Sequence, residues 1–180
     1  MACHACAKFV RCVPDFGTTT PMLDDFDLML LNLVQIDDSQ TADQLARKVA
    51  LSPSAIARRL RRLRADGWIA RTIALLSSRL TSERLRAMVF VTLSEHADRA
   101  GKAALQARLL ATREVQFCYD LAGPIDVVVL FDCANMARFN ELADEVLTAD
   151  ATVRRYETHF VKREVKFAPF VQLSGRQPLG

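Results

Sequence analysis

The stretch "LSPSAIARRLRRLR", Leu51 to Arg64, puts five arginines into the seven residues from Arg58 to Arg64, interrupted by Leu60 and Leu63. Ile56, Leu60 and Leu63 stand at i, i+4 and i+7, the spacing of one helix face. At about 100° per residue, Ser54, Arg58, Arg61 and Arg62 fall on the opposite side, with Arg59 and Arg64 on the flanks. Ser52 is placed to cap this helix and Pro53 to open it, where a missing N–H costs nothing. Gly67 is the expected stop. The apolar stripe holds the helix to a small core and leaves the arginines displayed together. A solvated helix face normally mixes signs to gain i, i+4 pairs, yet residues 53–65 contain no acid. That composition points to a polyanionic partner.

Upstream, "MLDDFDLMLLNLVQI" (22–36) opens with Asp24, Asp25 and Asp27, favourable at the positive end of a helix dipole. Phe26, Leu30, Leu33 and Val34 then recur at helical spacing. After the polar break "DDSQ", Thr41 and Gln44 form a capping-box pattern for a short helix, with Leu45 and Val49 facing the core. Two short helices, a tight turn and a basic outward face make a helix-turn-helix. "WIARTIALLS" (68–77), rich in apolar and β-branched residues, predicts a short hairpin or wing.

Charge is distributed unevenly around this motif. Residues 23–40 hold five aspartates and no base, whereas residues 41–71 hold eight bases and two acids. The net charge of the whole chain is only +3. No apolar run approaches the ~20 residues needed to span a bilayer, and the N-terminal composition is neither that of a signal nor of a transit peptide, so the cytoplasm is expected. The cysteines are five, an odd number, with Cys3, Cys6 and Cys12 crowded near the N-terminus. That is no secreted disulfide framework. "CHAC" lacks a second ligand pair at metal-site spacing, so neither metal nor cofactor is expected. Residues 1–21 read as a disordered or non-native extension, with Met22 a candidate start.

From residue 86 the periodicity changes. "RAMVFVTLSE" (86–95) reads as a strand and 98–113 as a helix capped by Asp98. "VQFCYDLAG" (115–123) and "DVVVLFDC" (126–133) read as two strands, 135–149 as a helix capped by Asn135, and 153–167 as a long final strand. The order β-α-β-β-α-β is ferredoxin-like, two helices on one face of an antiparallel sheet. The fold class is therefore α+β: a winged helix-turn-helix over 22–80, a ferredoxin-like domain over 84–170, and a tail over 171–180. The uncovered sheet face would seek a second subunit.

The combination of "LDDFDLMLLNLVQ", "LARKVALSPSAIARRLRRLRADGWI", "LAGPIDVVV" and "EVKF" resembles the leucine-responsive and asparagine-synthesis regulators, the Lrp/AsnC or feast/famine family. The resemblance spans nearly everything from Met22 to Leu173. It implies a transcription regulator that binds double-stranded DNA as a homodimer or larger assembly, up to an octamer, and takes an amino acid or other small molecule between subunits. Two recognition helices related by a two-fold axis would read a roughly palindromic site. Arg58 and Arg62 are the candidates for base readout, because arginine can donate two bonds to guanine. Ser54 and Ala55, at the helix start, would lie near the bases, and Ser52 is counted with them among the DNA-binding residues. Arg59, Arg61, Arg64 and Lys48 would hold phosphates.

The effector loop of the family corresponds to "GPID" (123–126). Gly123 and Asp126 match its pattern, while Pro124 replaces an acid and removes a backbone donor. On the opposite wall only Thr158 of Tyr156-Glu157-Thr158 matches. Two other readings stand beside the regulator: an architectural DNA-binding protein without effector, and an enzyme subunit resembling siroheme decarboxylase. The enzyme reading would need histidines around a tetrapyrrole, and His159 is alone in the final strand.

Overall fold

A computed structural model describes residues 22–95 and 98–174, which divide into two compact units. One contains the described residues up to Leu75 and takes back the chain from Lys166; the other is Leu76–Val165. The expectations for residues 1–21, the cysteine cluster included, lie outside the described residues, as does the end of the tail from 175.

In the helical unit, α1 (Asp25–Val34) begins with a reciprocal box of two aspartates. The Asp24 carboxylate accepts from the Asp27 amide at 2.8 Å, and Asp27 accepts from the Asp24 amide at 3.3 Å. A second box, Thr41 with Gln44, opens α2 (Ala42–Ala46). The Ser52 hydroxyl caps α3 (Pro53–Ala65). Past its end Gly67, at φ +80°, turns the chain so that Trp68 and Ile69 pack against the core. Leu30, Leu45, Ile56 and Leu63 are fully buried there.

The helical unit also binds the returning chain. Asn32 Nδ2 donates to the Leu173 carbonyl at 2.7 Å, and Asn32 Oδ1 accepts from the Leu173 amide at 2.9 Å. Gln35 does the same for Val171, donating from Nε2 at 2.5 Å and accepting at Oε1 at 3.0 Å. Two side-chain amides, one in the last turn of α1 and one at its C-cap, thus satisfy backbone groups that a neighbouring strand would otherwise serve. Leu173 packs on the apolar core. The chain leaves the sheet unit after Val165, and residues 171–174 dock at the end of α1. The expected hairpin is corrected, because residues 70–77 form no strand. The segment has no ladder partner among the described residues, and Ile73, Leu75 and Leu76 are exposed.

The sheet unit starts with the short helix α4 (Ser78–Thr81) and continues β1 (Leu85–Leu93), α5 (Arg99–Ala111), β2 (Val115–Asp120) and β3 (Val127–Cys133). It then runs through α6 (Met136–Ala143), one π turn (Asp144–Thr148) and β4 (Val153–Phe160). The strands lie in the order β2-β3-β1-β4, antiparallel throughout, which is the ferredoxin-like arrangement. Asp98 and Asn135 cap their helices as expected. Ala87, Val89, Val91, Val127, Val129 and Phe131 line the inner face with Leu105, Leu109, Phe139 and Leu147 from the helical layer. Alternation turns Met88, Phe90, Phe117, Tyr119, Val128 and Leu130 to the other face.

The last strand is shorter than expected, ending at Phe160 instead of residue 167. Its ladder neighbour β1 begins at Leu85, so the pairing of Ala87 with Phe160 and the bond from the Val161 amide to the Arg86 carbonyl exhaust the available partners. No helix among the described residues is long and apolar enough to cross a membrane.

Candidate nucleic-acid interface

Helix α3 is anchored by Ile56, Leu60 and Leu63, all buried. Ser54, Arg58 and Arg61 then occupy roughly 60° of arc on the far side, and all three are exposed. Arg58 has no side-chain partner among the described residues. Arg61 Nε donates weakly, at 3.4 Å, to the carbonyl of Ala57 one turn back, which lays the guanidinium along the helix. The Ser52 hydroxyl is taken up in capping, 3.1 Å from that of Ser54. Ala55 is half-buried. Lys48 Nζ donates to Gln40 Oε1 at 2.5 Å.

The other three arginines are engaged within the unit. Arg59 Nη1 donates to Asp24 Oδ2 at 2.7 Å and Asp27 Oδ1 at 2.8 Å. Its guanidinium also lies 5.7 Å from the centre of the Phe26 ring. Arg62 Nη2 donates to Asp27 Oδ2 at 2.5 Å, and Arg64 Nη2 to Asp38 Oδ1 at 2.7 Å. Asp27 is 1% exposed, so its charge is compensated by these two arginines. The pairs, Asp27 before Asp24, raise the pKa of Arg59. Burial opposes ionisation of Asp24, but the Asp27 amide and the Arg59 guanidinium together hold its carboxyl below the ordinary value.

This changes the meaning of the charge segregation in the sequence. Three of the five aspartates in 23–40 face three of the five arginines, across 26 to 35 residues of chain. The basic surface that remains is smaller and better defined: Ser54, Arg58 and Arg61. Arg47, at the C-cap of α2, is a further exposed cation with no partner among the described residues. It was not among the residues expected at the DNA, although its neighbour Lys48 was.

In the sheet unit, Gly123 and Asp126 sit in the β2–β3 connection. The Asp126 carboxylate accepts from the Leu93 amide at 2.8 Å, and its own amide donates to Val91 at 3.0 Å. Thr158 pairs with Val89 on the far side of β1, so β1 separates it from Asp126 and the three residues do not converge within one chain. A cavity of about 340 Å³, lined by Arg108, Arg113, Glu114, Arg138 and Glu145 among others, lies at the start of β2, the end away from Gly123. His159 lies on the open face, its ring edge-to-face with Phe90 at 5.4 Å.

A helix-turn-helix joined to a ferredoxin-like sheet defines a class of two-part DNA-binding regulators. Residues 86–169 match the Lrp/AsnC ligand binding domain and residues 23–70 a winged helix-turn-helix DNA-binding domain. The transcriptional regulatory protein DoeX of Halomonas elongata is 31% identical, over 80% of this chain and 90% of that protein. The leucine-responsive regulatory protein of Haemophilus influenzae is 30% identical, over 84% and 90%. Among solved structures, a Neisseria meningitidis transcriptional regulator in complex with L-Met superposes with a TM-score of 0.73 at 27% identity, covering 82% of this chain and 95% of that one. The chain belongs to the Lrp/AsnC family of transcriptional regulators.

Proposed function

We propose that the protein regulates transcription in the cytoplasm by reading roughly palindromic DNA sites as a dimer, with Arg58 as the base-reading side chain. The observation that carries this is the face of α3: a helix locked on one side by buried Ile56, Leu60 and Leu63 presents Ser54, Arg58 and Arg61 together to solvent. Arg58 reads a guanine edge and Ser54 and Ala55 lie near the groove floor, while Arg61, Lys48 and Arg47 hold phosphates. Ser52 fixes the start of the helix. Arg64 stays with Asp38.

A small effector, an amino acid by analogy with the L-Met complex of the Neisseria relative, binds where a second copy completes the wall between Gly123, Asp126 and Thr158. One observation favours the effector-free, architectural reading instead: the Asp126 carboxylate is already engaged by the Leu93 amide.

Genomic fragments selected on the purified full chain and footprinted across a salt series test the function. Retention of a few related two-fold-symmetric sites supports it, and uniform retention of all fragments favours the architectural protein. Absence of binding at low salt overturns both. The selected sites, titrated with each protein amino acid in turn, then test the effector: one amino acid should shift the midpoint.

A further inference from the structure

Resting on that DNA-binding reading, we infer that Arg59 and Arg62 do not touch DNA: held by Asp24 and Asp27, they form a clamp that sets the angle of the recognition helix on α1. The two aspartates and two arginines use every carboxylate oxygen. Asp24 Oδ1 caps α1 through the Asp27 amide and Oδ2 takes Arg59; Asp27 Oδ1 takes Arg59 and Oδ2 takes Arg62 and the Asp24 amide. The clamp therefore joins the first turn of α1 to the middle of α3. Its centre, Asp27, is buried at 1% exposure, and the Arg59 side chain is only 22% exposed.

Arg62 is held by its single bond to the buried Asp27 carboxylate, and Arg59 differs from a phosphate-binding arginine in three respects. It is already paired twice, and swinging it to a phosphate would strand a buried carboxylate. It stands on the α1 flank, away from Ser54, Arg58 and Arg61. Its guanidinium is fixed against the Phe26 ring, whereas Arg58 is unattached. The leucine stripe holds α3 against the core without fixing its rotation about its own axis closely, since apolar contact is non-directional. Charge-assisted hydrogen bonds of defined geometry supply that direction. Arg59 and Arg62 are positioning residues, and Asp24 and Asp27 belong to DNA recognition although no acid should approach a phosphate.

The sign of one effect separates the clamp from a reserve of phosphate-binding arginines. Neutralising an acid beside a DNA-binding surface ordinarily strengthens DNA binding, and more steeply at low salt. If the aspartates merely occupy arginines otherwise destined for phosphates, Asp24→Asn and Asp27→Asn should tighten binding and steepen the dependence of log K on log salt by about one unit per protomer. The clamp predicts the reverse. Binding of the full chain to its selected site should weaken by about tenfold, the size of one lost base contact, with the salt slope unchanged, while affinity for a random-sequence duplex stays nearly the same.

Arg59→Gln and Arg62→Gln should behave alike, lowering selectivity without altering the slope, whereas Arg61→Gln should reduce the slope by about one per protomer. Asp24→Asn, at the half-exposed end of the clamp, covers the case in which Asp27→Asn fails to fold, and circular dichroism establishes which variants are intact. Tighter binding by Asp24→Asn, or a shallower slope in Arg59→Gln, overturns the clamp. Failure of the unaltered chain to bind any duplex overturns the DNA-binding reading itself.

Discussion

The Asp24 carboxylate faces two ways, capping α1 with one oxygen and holding Arg59 with the other. Its pKa in the folded chain lies below the ordinary value of about 3.9. Such a group contributes stability that is fully present above the unfolded-state value and is lost as the pH falls through the lower, folded one. Thermal melts across the acid range should therefore show the chain losing stability below about pH 4, with part of that loss abolished in Asp24→Asn; superimposable pH profiles would rule the contribution out. The effect should be small, since Asp24 is 49% exposed and solvent screens the pair. Arg58 is the opposite kind of residue, exposed and unattached. Arg58→Ala should cost about 1–3 kcal/mol on the selected site and relax the preference at one base pair of each half-site. Equal weakening on every sequence, measured by competition binding, would remove its base-reading role.

At the scale of elements, α1 does more than fill the core. One end clamps α3 through Asp24 and Asp27, and the other holds the returning chain through Asn32 and Gln35. Four hydrogen bonds bind Val171 and Leu173; at about 1 kcal/mol or less net each, partly exposed, the double variant Asn32→Ala, Gln35→Ala should lose about 2 kcal/mol from the helical unit. Limited proteolysis offers a direct check, with cleavage near residue 170 accelerated in the variant and unchanged if the docking contributes nothing. This docking was illegible in the sequence because its partners are 136 and 141 residues apart, and "FVQLS" looks like any apolar tail. The clamp was half legible. Segregated charge was plain in the sequence, but it fits an intramolecular pair as well as an external polyanion, and only the fold chooses. What the sequence did carry was local: the caps at Thr41, Ser52, Asp98 and Asn135, the stop at Gly67 and the apolar stripe of α3 all follow from neighbours within a few residues. The end of β4 was illegible for the complementary reason. Residues 161–167 alternate like a strand, yet β4 stops where β1 stops offering partners.

For the whole molecule, the open face of the sheet is the feature that bears on assembly. Met88, Phe90, Phe117, Tyr119, Val128 and Leu130 share it, and Tyr119 is 59% exposed although stacked on Phe117 at 5.0 Å. Exposed Ile73, Leu75 and Leu76 in one extended segment, and Val161 and Val165 in another, add apolar surface that one chain leaves uncovered. A two-fold pairing of such faces is self-complementary and needs no second kind of partner. It would also supply what a single recognition helix lacks. Joining two readers makes the second half-site encounter intramolecular, multiplying affinity by about 10²–10⁴ without a new contact. A variant carrying Tyr119→Asp and Leu130→Asp should therefore elute as a folded monomer in light-scattering chromatography. It should lose about that factor on DNA with two half-sites and almost nothing on DNA with one. If it remains a dimer, the partner surface lies elsewhere on the chain; if it becomes a monomer that still binds the double site at full affinity, the protein reads its DNA with one helix at a time.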